Sequence, residues 1–148
     1  MHWHVYLKGH VAFVPTTGRL LEEPIYREME PVAVVPLSDS EGMRRALQAT
    51  IARGNPPAPR YSAGNFPPPV LLKYAGVKTW SAFARGTLTW SIEEAEGLYQ
   101  IVPYRKNAKG YWEPDPDQKT VFPSGTETDA VIERMISIME QAATATPQ

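Results

Sequence analysis

The histidines near the start of the sequence are the residues whose type and spacing could support chemistry. His2 and His4 are two positions apart, so on a β-strand they share one face and could bind a metal ion if a third ligand came near. His10, across the following turn, is the only other histidine. A polar strand face explains the same spacing without a metal, and no H-E-x-x-H motif is present. We therefore predict no metal site.

Covalent catalysis has little support in the sequence. The chain contains no cysteine and no G-x-S-x-G motif. The adjacent acids Glu93 and Glu94 would point to opposite faces of a strand and could not converge on one substrate. We therefore expect a protein that is not an enzyme, with no catalytic residues and no cofactor. A small hydrolase that uses the His2/His4 face is the alternative.

Charged blocks interleaved with aromatic residues indicate a binding surface instead. Tyr111 and Trp112 lie between a basic and an acidic block, and aromatic anchors beside charge are typical of protein interfaces. Solvated hairpin tips carry the same pattern. A nucleic-acid-binding module is a further alternative, but an RNA-binding surface would need basic residues without acidic residues on either side. The blocks are Glu93, Glu94 and Glu96, then Arg105, Lys106 and Lys109, then Glu113, Asp115 and Asp117.

Length and composition favour a single domain over residues 1–148. The chain has 148 residues, of which 43% are hydrophobic and 21% charged, which is typical of a chain with a folded core. The net charge of −1 provides no broad positive field for a nucleic-acid backbone. Because no apolar run approaches the length of a membrane span and no targeting segment is visible, we expect a cytoplasmic protein.

Hydrophobic periodicity predicts an α+β fold, a mostly antiparallel sheet of about six strands with two main helices packed on it. The first hairpin is expected to end at Pro15, with Thr16–Gly18 as a loop, and a Pro-rich connection is expected at 55–69. A hairpin tip is expected at Glu93–Gly97, and Trp80 and Trp90 are expected in the core. The main helices are predicted at 40–53 and, with Ile132, Met135, Ile136 and Met139 on one face, after Thr126–Asp129. Strands are predicted at 3–7, 11–14, 26–37, 87–92, 98–104, 111–113 and 120–122.

Residues 73–140 resemble immunity proteins of bacterial contact-dependent growth inhibition and related polymorphic-toxin systems. The segments that carry the resemblance are Lys73–Phe83, Trp90–Glu94, Tyr99–Tyr104, Lys109–Pro116, Phe122–Pro123 and Val131–Ile136. The resemblance implies a small cytoplasmic protein that binds the C-terminal domain of a cognate toxin, commonly a nuclease, and does no chemistry. These families share a role more than a fold, so the architecture rests on the residue patterns.

The charge pattern and the resemblance together define candidate toxin-binding residues. A toxin that cleaves nucleic acid tends to have a basic groove, and an inhibitor that mimics the substrate would present acids to it. We expect no membrane and no direct nucleic-acid partner. The candidates are Glu93, Glu94, Glu96, Tyr111, Trp112, Glu113, Asp115 and Asp117.

Overall fold

The computed structural model describes residues 1–145, which form one seven-stranded sheet and four α-helices. The strands are β1 (His2–Lys8), β2 (Val11–Arg19), β3 (Tyr26–Pro36), β4 (Thr87–Ala95), β5 (Leu98–Lys106), β6 (Trp112–Pro114) and β7 (Thr120–Val121). The helices are α1 (Ser40–Arg53), α2 (Leu71–Ala75), α3 (Trp80–Ala84) and α4 (Thr128–Ala145), with a 3-10 turn at Pro116–Gln118.

The strands are arranged in the order β3-β2-β1-β4-β5-β6, and β7 also pairs with β5. Every strand pair is antiparallel. Two long helices pack on this sheet, so the predicted α+β fold is confirmed. The first strand of the chain lies in the middle of the sheet, and its alternate residues therefore reach both faces.

The main core lies between the sheet and helices α1 and α4. Trp3, Val5 and Leu7 of β1 point to this side, as does Trp90, which is only 6% exposed, as predicted. The predicted limits of α1 are confirmed: the Asp39 carboxylate accepts the backbone N–H of Gly42 at 2.9 Å. In α4 the predicted apolar stripe is buried, at Ile132, Met135, Ile136 and Met139. Within residues 1–145, each helix is too short or too polar to span a lipid bilayer.

Two predicted boundaries were wrong. Strand β2 continues through Pro15 to Arg19, so Thr16–Gly18 is part of the strand and not a loop. A register shift between Pro15 and Thr16 accommodates the missing proline N–H. Strand β4 extends to Ala95, so the turn expected at Glu93–Gly97 contains only Glu96 and Gly97, which have positive φ angles of 54° and 80°.

A smaller core occupies the second face of the sheet. Helices α2 and α3 place Leu71, Leu72 and Phe83 against Tyr6 and Phe13. The prediction that Trp80 is a core residue was wrong, because its side chain lies at the rim of this cluster and is 36% exposed. Residues 55–69 contain no helix and join α1 to α2 across the end of β2, where the N–H of Arg19 bonds to the carbonyl of Pro56 at 2.9 Å.

Candidate functional site

Polar side chains occupy the second face of the sheet beyond the cluster under α2 and α3. They come from strands β3, β1, β4 and β5, with β2 between β3 and β1, because alternate residues of each strand face the same side. All are half-buried in the described structure. We refer to them as the open polar face: His2, His4, Tyr26, Glu28, Glu93 and Tyr104.

The two histidines of the open polar face are in direct contact. Their Nε2 atoms are 2.9 Å apart, and the Nδ1 atom of His4 is 3.2 Å from a carboxylate oxygen of Glu28. Burial, and next the charge of His4, lower the pKa of His2 to about 4. His2 is therefore neutral at pH 7. The ring of Tyr26 stacks on His2 with centroids 4.8 Å apart.

The carboxylates of the open polar face are held in place by polar side chains. Glu93 accepts a hydrogen bond from the Ser91 hydroxyl at 2.7 Å and one from the Gln100 amide at 3.3 Å. Glu28 faces His4. Within the described residues, neither Glu28 nor Glu93 is paired with a lysine or an arginine. Glu93 is thus a positioned carboxylate available to a cation from outside the chain, whereas Glu28 is engaged by His4.

Tyrosine hydroxyls border the same carboxylates and stay protonated. Burial, and next the charge of Glu28, raise the pKa of Tyr6 well above its ordinary value. Burial also raises the pKa of Tyr104. Both side chains therefore act as neutral hydrogen-bonding and stacking groups, not as bases.

The histidines are not arranged as a metal site. Within residues 1–145, no group of three or more histidine, aspartate or glutamate side chains is placed to hold a metal ion. His10 lies in the turn after β1, at the end of the strand opposite His2. The rings of His2 and His4 are instead hydrogen-bonded to each other.

The first acidic block meets the open polar face, and only Glu93 is part of it. Glu94 accepts the backbone N–H of Gly97 at 2.8 Å and so stabilises the β4–β5 turn. Glu96 is exposed in that turn. The three residues therefore form one end of the sheet, with Glu93 directed inward and Glu96 at the tip.

The second acidic block is separate from the first. Glu113 pairs with Arg105 in the sheet register, whereas Glu93 pairs with Gln100. These two β5 positions are five residues apart, or about 17 Å, and the odd separation places Glu113 and Glu93 on opposite faces of the sheet. Arg105 also neutralises part of this block, because its guanidinium is 3.3 Å from Glu113 and 3.6 Å from Asp115. Asp117 lies in the 3-10 turn that follows and is exposed.

Tyr111 and Trp112, predicted as paired anchors, have different environments. Tyr111 is 69% exposed in the β5–β6 loop. The ring of Trp112 packs at 5.9 Å from Tyr6 and 5.8 Å from Trp80, and Lys106 lies over it. Trp112 is thus half-buried in the aromatic group beside the open polar face, and Tyr111 is free to contact a partner.

Sequence reasoning did not identify Tyr26 and Glu28. They are two positions apart at the start of β3, and this spacing places both on the face that carries His2 and His4. The sequence shows this spacing, but it does not show that Tyr26 and Glu28 lie beside His2 and His4. This proximity depends on β3 and β1 lying on either side of β2, which only the fold establishes.

Comparison with known proteins supports the architecture. No protein-family model matches the sequence, and no curated protein matches it. The chain is similar to a solved structure described as a protein of unknown function, NMB0488, from Neisseria meningitidis. The two share 14% identity with a TM-score of 0.65, over 96% of this chain and 95% of that chain. This similarity shows that the two proteins share a fold, an α+β sandwich of one sheet with helices.

Proposed function

We propose that this protein is an immunity protein that binds the cognate toxin domain of a contact-dependent growth inhibition or related polymorphic-toxin system. It would neutralise the toxin in the cytoplasm by stoichiometric binding, with no reaction of its own. The resemblance of residues 73–140 to such proteins supports this role. The observation that carries the proposal is the open polar face, where the positioned carboxylate of Glu93 lacks a lysine or arginine partner within the described residues.

The open polar face has the properties that a protein interface requires. Glu93 is already fixed by Ser91 and Gln100, so little side-chain entropy is lost when a basic partner residue pairs with it. The stacked rings of His2 and Tyr26 provide a flat, rigid contact area next to the charge. A toxin whose substrate is a nucleic acid carries the lysines and arginines that this arrangement fits.

The eight predicted contact residues do not all lie on one face of the sheet. A typical interface covers about 800 Å² on each partner, which is a patch about 30 Å across. The two acidic blocks are about 17 Å apart along β5, which is within this distance, but Glu113 lies on the face opposite Glu93. We propose that Glu93 forms the centre of the interface. Trp112, the exposed Tyr111 and Glu96 in the exposed turn would form its rim, and the second acidic block would lie outside it.

Co-production with a toxin tests the proposed function. The proposed function predicts a toxin gene beside this one, and the toxin domain that it encodes is produced in a bacterial host with and without this protein while growth is followed. We expect growth arrest with the toxin alone, full rescue with this protein, and a 1:1 complex by light scattering after gel filtration. Rescue should fail with Glu93→Lys but persist with Lys109→Glu, an exposed turn residue. Arrest that this protein does not relieve would contradict the proposal.

A hydrolase-type enzyme is the second candidate, because one observation favours it. His4 contacts Glu28 through one ring nitrogen and His2 through the other, an arrangement that can relay a proton. The hydroxyl of Ser91, which pairs with His4 in the sheet register, donates to Glu93 and not to a histidine. Assays of the purified protein with ester and phosphodiester substrates, compared with His4→Asn, separate the two functions. Turnover that His4→Asn abolishes would favour the enzyme.

A nucleic-acid-binding module is less compatible with the contacts of the basic block. Arg105 is paired with Glu113 and Asp115. The Lys106 ammonium donates to the carbonyl of Ala84 at 2.8 Å. Two of the three basic side chains of this block are therefore already bound to groups of the protein itself.

A further inference from the structure

A groove of about 930 Å³ lies next to the open polar face. It is bounded by residues 26–30 of β3 on one side, by the Pro-rich segment on the other, and by α2 and the residues after it at one end. Tyr26 and Glu28 belong to both surfaces. The volume is within the range of natural ligand sites.

The walls of the groove are largely apolar. Tyr61, Phe66 and the prolines 67–69 form the outer wall, with Leu72 and Val77 at the end. The Phe66 side chain is 60% exposed and is therefore accessible to a ligand. An apolar surface of this kind is suited to bind an apolar segment.

The groove also has cations that lack a carboxylate partner. The Arg27 guanidinium lies 5.0 Å from the centroid of the Tyr61 ring and 5.4 Å from that of Phe66, and it donates to the carbonyl of Pro59. Within residues 1–145, it forms no ion pair, and the Lys78 side chain forms neither a hydrogen bond nor an ion pair.

The other charged groups of the wall are already paired. Lys73 lies 3.1 Å from Glu30, which also accepts a hydrogen bond from the Tyr74 hydroxyl. Glu28 is turned to His4. The charge that the groove offers to a ligand is therefore positive, and it comes from Arg27 and Lys78.

We propose that this groove binds an extended acidic–apolar peptide segment, whose carboxylate pairs with Arg27 and Lys78 while its apolar side chains contact Phe66. Under the proposed function, on which this assignment of the partner rests, the segment belongs to the toxin. The shape favours an extended chain, because β3 is the last strand of the sheet and its residues 26–30 run along the groove for about 15 Å. An edge strand can pair with an added strand.

The groove and the open polar face would then bind opposite charges. The groove would bind an acidic segment and the open polar face a basic side chain, and the two share Tyr26 and Glu28 at their border. Adjacent surfaces of opposite sign fix the orientation of a partner, because the reversed orientation places like charges together.

The groove can be tested without a toxin by binding of anilinonaphthalene sulfonate, a fluorescent aromatic anion. We expect saturable fluorescence with the native protein. Binding should weaken about tenfold in Lys78→Glu, through repulsion, and about tenfold in Phe66→Ala, through lost apolar contact. The controls Lys109→Glu and Val121→Ala, at exposed positions of the other sheet edge, should match the native protein. No binding, or equal binding by all variants, would overturn the proposal that the groove is a binding site.

The complex with the toxin then tests whether a segment of the toxin binds in the groove. A 1:1 mixture should displace the anilinonaphthalene sulfonate and slow hydrogen exchange of the backbone amides of residues 26–30. A toxin that is neutralised but leaves both readouts unchanged would overturn the assignment of the segment, while the proposed function would stand. A toxin that fails to bind at all would overturn the proposed function, and the fluorescent anion would still decide whether the groove binds anionic apolar ligands.

Discussion

Replacement of Glu93 by glutamine should weaken toxin binding by about 10- to 150-fold. In the native protein the two carboxylate oxygens accept from Ser91 at 2.7 Å and from Gln100 at 3.3 Å. Glutamine has the size of glutamate, and its oxygen can accept from Gln100 while its amide N–H donates to the Ser91 hydroxyl, which reverses its role. The substitution therefore removes the charge with little change in shape. A large effect would report the loss of a pairing with a basic residue of the toxin.

The magnitude follows from the half-buried position of Glu93. A hydrogen bond to a charged group contributes about 1.5–3 kcal/mol, which corresponds to the expected loss in affinity. The Coulomb attraction between unit charges 4 Å apart is about 4 kcal/mol at an effective dielectric constant of 20. Desolvation offsets part of this attraction, so the net value is smaller than the Coulomb value.

Surface plasmon resonance at 0.15 M and 0.5 M NaCl measures the effect. Glu93→Gln should accelerate dissociation at both salt concentrations, because a half-buried pair is weakly screened. The matched control is Glu96→Gln in the exposed turn. It should change only the association rate, by less than about threefold, with no effect at 0.5 M NaCl. An affinity of Glu93→Gln within about twofold of the native protein, with unchanged thermal unfolding, would refute the reasoning.

Three further predictions concern stability. Ile136→Ala, in the buried stripe of α4, should lower the free energy of unfolding by about 2–5 kcal/mol, as measured by urea titration. The control is Glu140→Ala at an exposed position of the same helix, and an equal loss in the two variants would contradict the packing. Lys8→Met should cost about 1.5–3 kcal/mol, because the Lys8 ammonium donates to three backbone carbonyls at the end of α3; Lys109→Met, by the same titration, should have no effect. The pKa of His2 is about 4 in the folded protein and near 6.5 when unfolded, so the unfolded chain binds the proton first. His2 therefore stabilises the fold above pH 6.5 and loses about 1–3 kcal/mol of this contribution as the pH falls to 4; parallel stability profiles of the native protein and His2→Asn would contradict this.

The elements with strong periodicity could be predicted from the sequence. Helix α1 has Asp39 before it and Gly54 after it, and its apolar residues recur at one spacing, so local signals and burial agree. The same holds for the stripe of α4. Strand β2 could not be predicted through Pro15, because proline locally favours an end to the strand. The bulge that accommodates it depends on pairing with β3.

The candidate site could be predicted only in part. Alternation placed His2 and His4 on one face, and the charge pattern identified Glu93. Tyr26 and Glu28 reach the same place because β3 and β1 flank β2, and the register of the β2–β3 pair, which shifts between Pro15 and Thr16, has no local signal. The exposure of Trp80 has a similar cause. Its short helix packs through Phe83 and leaves the tryptophan at the rim.

Titration of the purified toxin's activity with this protein tests the central claim most directly. The proposed immunity function predicts a linear fall in toxin activity that reaches zero at one equivalent. It also predicts that the inactive mixture contains both proteins intact in a 1:1 complex. Full toxin activity at several equivalents, or loss of activity at a small fraction of an equivalent with a chemically altered toxin, would contradict the claim.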